Sequence, residues 1–294
     1  MSRWLTHRRA VILMVLCALL WSTAGVVTRQ LDAARSFEVT FWRSFFTVLS
    51  LLVILPMLRG RAVFTQIIQG GQSLWLSGLC WSVMFTAYMV ALTLTTVANV
   101  LVVLALGPLF TALLARVFTG HRIEARTWLA IALAGIGIVW MYGGQVDLSA
   151  QLAGTLVALA VPLAGATNWT VVQHSQTQGQ KIDLMPAVLL GALISSALTL
   201  PLAWPLTATA HDIGLLGLLG LGQLAIPCVL SVWCATVLKA PEMALLAMLE
   251  VIFGTLLAWF GANEVPSNSV LYGGTLVVAA LVINALMGWT QKQT

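Results

Sequence analysis

The stretches Leu106-Gly-Pro-Leu-Phe-Thr-Ala-Leu-Leu-Ala115 and Leu249-Glu-Val-Ile-Phe-Gly-Thr-Leu-Leu-Ala258 are two versions of one apolar segment. Five of the ten aligned pairs are identical, and each copy is followed by a short polar loop and a second apolar run. The copies lie 143 residues apart (249 − 106) in a chain of 294 residues. This spacing predicts a chain made of two related halves, residues 1–147 and residues 148–294.

The composition is that of a membrane protein. Hydrophobic residues make up 60% of the chain and charged residues only 8%, and the mean hydropathy is +0.98. Soluble domains carry about 25% charged residues, so a chain with so few could not hide its apolar surface from water. The four cysteines all lie inside apolar runs without metal-ligand spacing, which predicts a role in helix packing.

Ten apolar segments are long enough, or nearly so, to cross a hydrocarbon core about 30 Å thick as helices. They are residues 9–29, 38–58, 73–93, 96–117, 127–143, 153–173, 184–204, 213–236, 241–261 and 270–289. The sequence therefore predicts an all-α polytopic membrane protein with ten transmembrane helices, five in each half.

Lysine and arginine are distributed unevenly between alternate loops. If the N-terminus is cytoplasmic, eleven of the 14 basic residues lie on the cytoplasmic side, Arg29 and Arg35 lie opposite, and Arg43 lies inside a helix. The positive-inside rule then predicts cytoplasmic termini, and it explains the net charge of +5 without a nucleic-acid partner. Because each half has an odd number of helices, the second half starts on the opposite side of the membrane and has an inverted topology. Inverted repeats of this kind are characteristic of secondary transporters.

Polar residues inside the apolar segments are candidates for substrate binding, because each needs a partner within the membrane. Glu250 lies about halfway along the ninth segment, where it could bind a substrate or join helices. Arg43 lies near the start of the second segment, from which it could act in gating or reach the headgroups. The uncharged candidates, which could bind a substrate or join helices, are Asn99, Asn168 and Gln223.

Aromatic residues away from the helix ends form a second group of candidates, which could line a cavity or simply pack. They are Trp21, Trp81, Tyr88, Trp169 and Trp233. Prolines interrupt the fourth, sixth and eighth segments at Pro108, Pro162 and Pro227. A proline inside a helix frees the carbonyl four residues before it, so these breaks suit a substrate pathway and hinges.

The sequence contains no recognisable catalytic constellation. The four histidines lie at loops or helix ends, and no set of metal ligands falls within the apolar segments. The sequence therefore predicts neither an enzyme nor a bound metal or cofactor.

The chain resembles the drug/metabolite transporter superfamily, whose repeated module is the EamA-type domain. The resemblance rests on the two five-segment halves, on Leu20-Trp21-Ser22 and Pro108-Leu-Phe-Thr-Ala-Leu-Leu, and on Arg43 and Glu250. Within the superfamily, the chain is most similar to YddG-type bacterial exporters of aromatic and other amino acids. It departs from the family where Gly120 is followed by His121 instead of glutamate, and where Glu250 is followed by Val251 instead of proline.

This resemblance implies a basket of helices around a central cavity in the bacterial inner membrane, with the fourth and fifth helices and the ninth and tenth helices packed as pairs. It predicts amino acid export by alternating access, with aromatic and other neutral amino acids as substrates. A multidrug or organic-cation exporter that uses Glu250, and a non-transporting membrane sensor, are the alternatives. The energy source, proton-coupled or facilitative, stays open, as does the oligomeric state, for which a monomer is one option.

Overall fold

The computed structural model describes residues 5–28, 30–34, 36–94, 97–119, 123–143, 152–177, 183–262 and 268–290. Within these ranges the chain forms helices joined by short connections, and it contains no β-strand. The prediction of an all-α membrane protein is therefore confirmed for the described residues.

Seven helices precede residue 144. They are α1 (His7–Thr28), α2 (Ser36–Arg59), α3 (Val63–Gln69), α4 (Gly71–Leu94), α5 (Val97–Leu104), α6 (Gly107–Thr119) and α7 (Ala125–Tyr142). The rest of the chain contains α8 (Leu152–Thr177), α9 (Pro186–Ala203), α10 (Ala210–Leu218), α11 (Ile226–Cys234), α12 (Ala240–Ala247), α13 (Leu249–Ala262) and α14 (Asn268–Thr290). A π-helical segment, Leu219–Ala225, joins α10 to α11.

Eight helical stretches of the described chain are long and apolar enough to cross a membrane. They are His7–Thr28, Phe37–Arg59, Gly71–Ala91, Val100–Phe118, Leu152–Ser175, Pro186–Ala203, Ala210–Cys234 and Ala240–Leu257. Two shorter apolar helices, Ala125–Met141 and Asn268–Ile283, occupy the fifth and tenth predicted segments. The structure thus supports a multi-pass membrane protein with eight candidate spans, and the crossing of the membrane by ten helices stays a prediction.

The short helix α3 is a feature that the apolar pattern does not predict. It lies between Gly60 and Gly71, which have φ angles of 75° and 64°. Only glycine adopts this left-handed region without strain, so the two residues allow sharp turns on either side of α3. The connection between the second and third predicted segments is therefore ordered.

Two helices are interrupted at corresponding places in the two halves. The helix α5 ends at Leu104, and α12 ends at Ala247, which is 143 residues later (247 − 104). The amide of Leu106 donates to the carbonyl of Val103 at 3.1 Å, and the amide of Met248 donates to Leu245 at 3.1 Å. These bonds span three residues instead of four, so each interruption is a tightened turn.

Helices from the two halves pack against one another through the core. The helix α4 packs on α8 and α9, α2 packs on α9 and the π-helical segment, and α1 packs on α11 and α13. The helix α7 packs on α5, as the resemblance implies for the fourth and fifth helices, and also along α14. A Cβ atom on Gly137 of α7 would lie 2.7 Å from the carbonyl oxygen of Gly273 in α14, so the two backbones meet directly.

Ion pairs join the helix ends on one face of the bundle, here called the first face. His7 at the start of α1 pairs with Glu242 at the start of α12, at 2.8 Å. Arg59 at the end of α2 pairs with Asp183, which precedes α9, also at 2.8 Å. Because α1 runs away from the first face and α2 runs back towards it, the end of α2 lies on the same face as the start of α1. The two ion pairs therefore share the first face.

On the opposite, second face, two buried carboxylates bind the backbone of loops from the other half. The carboxylate of Glu38, at the start of α2, accepts hydrogen bonds from the amides of Thr207 and Ala208 at 2.8 Å each. The carboxylate of Asp212, in α10, accepts from the amides of Asp32 at 2.7 Å and Ala33 at 3.1 Å. These reciprocal contacts join the α1–α2 loop to the α9–α10 loop.

Candidate functional site

A cavity of about 190 Å³ lies at the centre of the bundle. Its walls come from α1, α2, α4, α5 and α6 and from α8, the π-helical segment, α11, α12 and α13. Both halves of the chain therefore contribute to the walls of one cavity. The predicted site residues that border it are Trp21, Arg43, Trp81, Tyr88, Pro108, Pro162, Trp169, Gln223 and Glu250. Their functional roles stay predictions.

Other predicted site residues do not border the cavity. Asn168 is fully buried, and its side-chain oxygen accepts a hydrogen bond from the Ser77 hydroxyl at 2.6 Å, so Asn168 joins α8 to α4. Trp233 is half-buried against the apolar core, and Pro227 is buried in the first turn of α11. The side chain of Asn99 lies outside the described part of the structure.

Arg43 brings a positive charge into the bundle. Its side chain is only 2% exposed. The sequence-based interpretation in which Arg43 reaches the lipid headgroups is therefore wrong. One terminal nitrogen, Nη2, donates to the carbonyl of Phe85 in α4 at 3.2 Å. Its Nε has no hydrogen-bond partner among the residues that the structure describes. Arg43 thus keeps an unused donor in the wall of the cavity.

Glu250 brings a carboxyl group to the same cavity. It is half-buried and lies in the first turn of α13, directly after the interruption that ends at Leu249. The unpaired amides of a helix N-terminus favour a carboxylate at this position. Within the described chain, Glu250 and Arg43 form no ion pair at 4 Å or less. Both residues therefore border the cavity without a direct bond between them.

Aromatic rings cover one side of the cavity. The rings of Trp81 and Trp169 are perpendicular, with centroids 5.7 Å apart, and the ring of Phe85 lies 5.6 Å from Trp81. The indole nitrogen of Trp81 has no hydrogen-bond partner in the described ranges, although the residue is 3% exposed. Such rings offer apolar faces and, in Trp81, a free N–H donor.

Gln223 lies in the π-helical segment and is 5% exposed. Its amide nitrogen donates to the carbonyl of Trp21 at 3.3 Å, whereas its amide oxygen has no partner in the described part of the chain. Wide helical turns of this kind recur at functional sites because they displace side chains from the regular helical register. Here the wide turn presents Gln223 to the cavity.

Residues 8–143 match the model of the EamA-like transporter family. This part of the chain is therefore similar to that family. The match confirms the resemblance to the drug/metabolite transporter superfamily. Because the matched family consists of transporters, it supports membrane transport as the activity.

Similar proteins align over most of the length of this chain. Proteins named S-adenosylmethionine uptake transporter in Rickettsia bellii and Rickettsia felis are 26% and 27% identical over 286 residues. Each alignment covers 90% of this chain, together with 89% and 88% of the respective relative. A protein of Archaeoglobus fulgidus named uncharacterized transporter is 26% identical over 271 residues, which is 92% of this chain and 93% of the relative.

A solved structure supports this fold. A protein crystal structure superimposes with a TM-score of 0.79 and covers 96% of this chain and 99% of its own. At 19% identity, this likeness concerns the fold alone.

Several residues that border the cavity are not among the predicted candidates. They include Met84, Phe85, Thr111, Cys228 and Met248. A helical stripe in the sequence could have revealed two of them, because residues 81, 84, 85 and 88 follow the spacing of one helix face. Trp81 and Tyr88 are predicted only as aromatic residues away from the helix ends, so the two residues between them are passed over.

The three predicted hinge prolines occupy different places in their helices. Pro108 lies in the first turn of α6, where the missing N–H costs no helical hydrogen bond. Pro227 lies in the first turn of α11, directly after the wide π-helical turn. Pro162 alone of the three lies inside a continuous helix, α8. Pro108 and Pro227 therefore mark helix starts next to irregular turns, and a hinge role for the three prolines stays a prediction.

A second, apolar cavity of about 440 Å³ lies between α13 and α14 and reaches Met141 of α7. The hydroxyls of Thr255 and Thr275 in its wall bond to their own helices, at 2.9 Å and 2.8 Å. The expectation that the ninth and tenth helices pack as a pair is therefore wrong for the described residues, because α14 packs along α7 and this cavity separates it from α13. With neither charges nor free polar groups among its described wall residues, this cavity is a weaker candidate for substrate binding.

A group of possible metal ligands lies on the second face, where Asp32, His211 and Asp212 present atoms within 4.8 Å of one another. The Asp212 carboxylate is already engaged by four backbone amides, those of Asp32, Ala33, Ala34 and Thr209. Its role is therefore to hold the loops together.

Proposed function

We propose that this protein moves small molecules that carry an amino acid group across the membrane by alternating access. The observation that supports this most directly is the central cavity, which receives Arg43 from the first half and Glu250 from the second. A guanidinium is suited to a carboxylate, and a carboxylate is suited to an ammonium group. A molecule that carries both charges fits between them.

Alternating access needs two related halves that enclose one site, and several observations support residues 1–147 and 148–294 as inverted repeats. The interruptions after Leu104 and Ala247 are separated by the same 143 residues as the repeated sequence. The packing also repeats when α1 is matched with α8, α4 with α11 and α6 with α13. The contact of α4 with α8 then corresponds to that of α11 with α1, and the contact of α6 with α8 corresponds to that of α13 with α1. Moreover, α1 begins on the first face, whereas α8 ends there, before Asp183.

The substrate class combines the sequence-based prediction with the names of the relatives. S-adenosylmethionine contains an α-amino acid group, a sulfonium cation and an adenine ring. Aromatic amino acids, which YddG-type exporters carry, share the amino acid group and add an apolar ring. Trp81 and Trp169 offer rings on which an adenine, a phenyl ring or a sulfonium could lie. Both kinds of molecule are therefore leading candidates.

The direction of transport is a separate proposal. The resemblance to exporters predicts efflux, whereas the relatives are named uptake transporters. A site that alternates between the two sides carries substrate down whichever gradient is present, unless a second ion is coupled to it. We place the protein in a bacterial inner membrane with both termini cytoplasmic, so that the first face is the cytoplasmic one.

Transport of organic cations is the second candidate function, and Glu250 is the observation that favours it. A half-buried carboxylate in an aromatic cavity can bind a cation that has no carboxylate of its own. Glu250→Gln should then abolish resistance of expressing cells to toxic organic cations. Resistance that persists in this variant would eliminate the cation hypothesis.

Uptake into proteoliposomes tests the proposed function. Purified protein should transport labelled S-adenosylmethionine or L-phenylalanine faster than protein-free liposomes, with saturation. Repeating the assay with an imposed pH gradient would distinguish a facilitator from a proton-coupled transporter. The absence of flux for a panel of amino acids and S-adenosylmethionine, under either condition, would contradict the proposal.

A further inference from the structure

Three buried side chains in the wall of the central cavity each keep one unused hydrogen-bonding atom. Arg43, Trp81 and Gln223 are 2%, 3% and 5% exposed. Arg43 Nε, Trp81 Nε1 and Gln223 Oε1 have no partner among the described residues. Buried polar groups are almost always hydrogen-bonded, because an unsatisfied one costs free energy. All three residues border the same cavity, so a molecule bound there is the candidate partner for these atoms.

The chemistry of these atoms separates them into two kinds. Arg43 Nε and Trp81 Nε1 are donors, and Gln223 Oε1 is an acceptor. Glu250 adds a second acceptor to the cavity. Two donors, one of them charged, match a carboxylate, and an amide oxygen with a carboxylate matches an ammonium group.

The donors are neighbours in the structure. Arg43 donates through Nη2 to the carbonyl of Phe85, and the Phe85 ring lies 5.6 Å from the ring of Trp81. Arg43 and Trp81 therefore belong to the wall formed by α2 and α4. This wall carries a positive charge and a free indole N–H.

The acceptors belong to a different part of the wall. Gln223 is held through its amide nitrogen by the carbonyl of Trp21 in α1, which leaves its oxygen free. Glu250 lies in α13, which packs on the same helix α1. The acceptors are thus grouped around α1, and both come from the second half of the chain.

We propose that Arg43 and Trp81 bind the carboxylate of the substrate and that Gln223 and Glu250 bind its ammonium group. This inference rests on the proposed function and assigns its specificity to four side chains. A bound amino acid group bridges donors from the first half and acceptors from the second. Removal of either the carboxylate or the ammonium group from the ligand therefore leaves one pair of side chains unsatisfied.

Three ligands with the same phenyl ring separate the two subsites: L-phenylalanine, phenethylamine, which lacks the carboxylate, and 3-phenylpropanoate, which lacks the ammonium group. S-adenosylmethionine and its decarboxylated form make a second matched pair. Affinities would be measured by titration calorimetry on the full chain in lipid nanodiscs. L-phenylalanine or S-adenosylmethionine should bind more tightly than the analogues that lack one group.

Trp81→Phe removes the indole N–H and keeps an aromatic ring. It should weaken binding of the carboxylate-bearing ligands about tenfold, as expected for one lost hydrogen bond to a charged group, and change phenethylamine binding less than twofold. Gln223→Met keeps the side-chain length and should weaken L-phenylalanine and phenethylamine, but not 3-phenylpropanoate. Trp233→Phe, away from the cavity, is the matched control and should change none of the affinities.

The outcomes separate this inference from the proposed function. If Trp81→Phe weakens all ligands equally, the ring contributes only packing and the carboxylate subsite is wrong, although the proposed function stands. If Gln223→Met spares phenethylamine, the ammonium subsite is wrong. If wild-type protein binds none of the ligands, both proposals fail.

Discussion

At the residue scale, the arrangement of Arg43 and Glu250 is the decisive feature. An arginine that is 2% exposed inside an apolar bundle is costly unless it serves a function. Electrostatic attraction to Glu250 offsets part of that cost, and no direct ion pair joins these two described residues. The cavity is therefore polar at the positions where a charged substrate would bind.

Replacement of Glu250 tests its role in transport. Glu250→Gln keeps the shape of the side chain and removes its charge, so binding of an ammonium group loses a charge-assisted hydrogen bond. We expect the initial rate of L-phenylalanine or S-adenosylmethionine transport into proteoliposomes, at low substrate concentration, to fall about tenfold or more. Glu242→Gln, which affects the ion pair with His7 on the first face, is the control. Equal rates for wild type and Glu250→Gln would contradict a substrate-binding role.

Side-chain direction is the part of the site that the sequence predicts least well. Asn168 and Trp169 are adjacent in α8, yet Trp169 borders the cavity and Asn168 bonds to Ser77. Adjacent positions on a helix point about 100° apart, so their directions depend on how α8 is rotated against its neighbours. The sequence identifies polar and aromatic residues within the membrane, but the packing of α8 on α4 decides which of them meet the cavity.

At the element scale, close backbone contacts hold α7 against α14. A Cβ atom on Gly137 would lie 2.7 Å from the carbonyl of Gly273, which is closer than atoms can pack without displacement. Gly137→Ala should therefore destabilise the protein by about 1–3 kcal/mol and lower its thermal transition in detergent.

Gly135→Ala is the matched control, because no described atom lies within 4 Å of the added methyl group. Alanine favours a helix more than glycine does, so this variant should be as stable as wild type or slightly more stable. If the two variants have the same melting temperature, α7 and α14 are not in backbone contact.

The two loops on the second face are joined through buried carboxylates. Glu38 is fully buried and accepts from the amides of Thr207 and Ala208 and from the Thr207 hydroxyl at 2.9 Å. Glu38→Gln turns one acceptor into a donor that faces these N–H and O–H groups. We expect a loss of about 2 kcal/mol, which corresponds to a melting temperature lower by about 4 °C in a chain of this size.

A substitution at Asp32 controls for charge on the same face. The Asp32 side chain is 63% exposed and pairs with His211 at 3.3 Å, so Asp32→Asn should change stability little. Equal stability of the Glu38→Gln variant and wild type, measured by thermal unfolding in detergent, would show that the contact between the loops does not stabilise the fold.

Helix interruptions could be predicted only in part. Pro108 marks the start of α6 in the sequence, but a proline that begins a helix and one that kinks it look alike there. No proline lies at the break after Ala247, and the sequence indicates this break only through the 143-residue repeat. The π-helical segment has no local signature beyond its glycines, of which Gly220 approaches α2 so closely that a Cβ atom would lie 2.9 Å from the Arg43 carbonyl.

At the scale of the whole molecule, the sequence predicts the architecture well because the membrane restricts the choices. Long apolar stretches must form helices in lipid, and each of the ten predicted segments coincides with a helix or an interrupted helix in the described ranges. The apolar pattern does not predict the short helix α3, because this helix is only seven residues long and its position depends on turns at Gly60 and Gly71.

Counterflow in proteoliposomes tests the central claim, which is that one cavity between two halves binds an amino acid group and opens to either side in turn. Liposomes loaded with excess unlabelled L-phenylalanine or S-adenosylmethionine would be diluted into a trace of the same labelled compound. Alternating access predicts transient accumulation of label above its external concentration, because internal substrate keeps returning the site to the outside. Simple equilibration of label would indicate a pore, and no entry at all would indicate a binding protein without transport; either result would contradict the account.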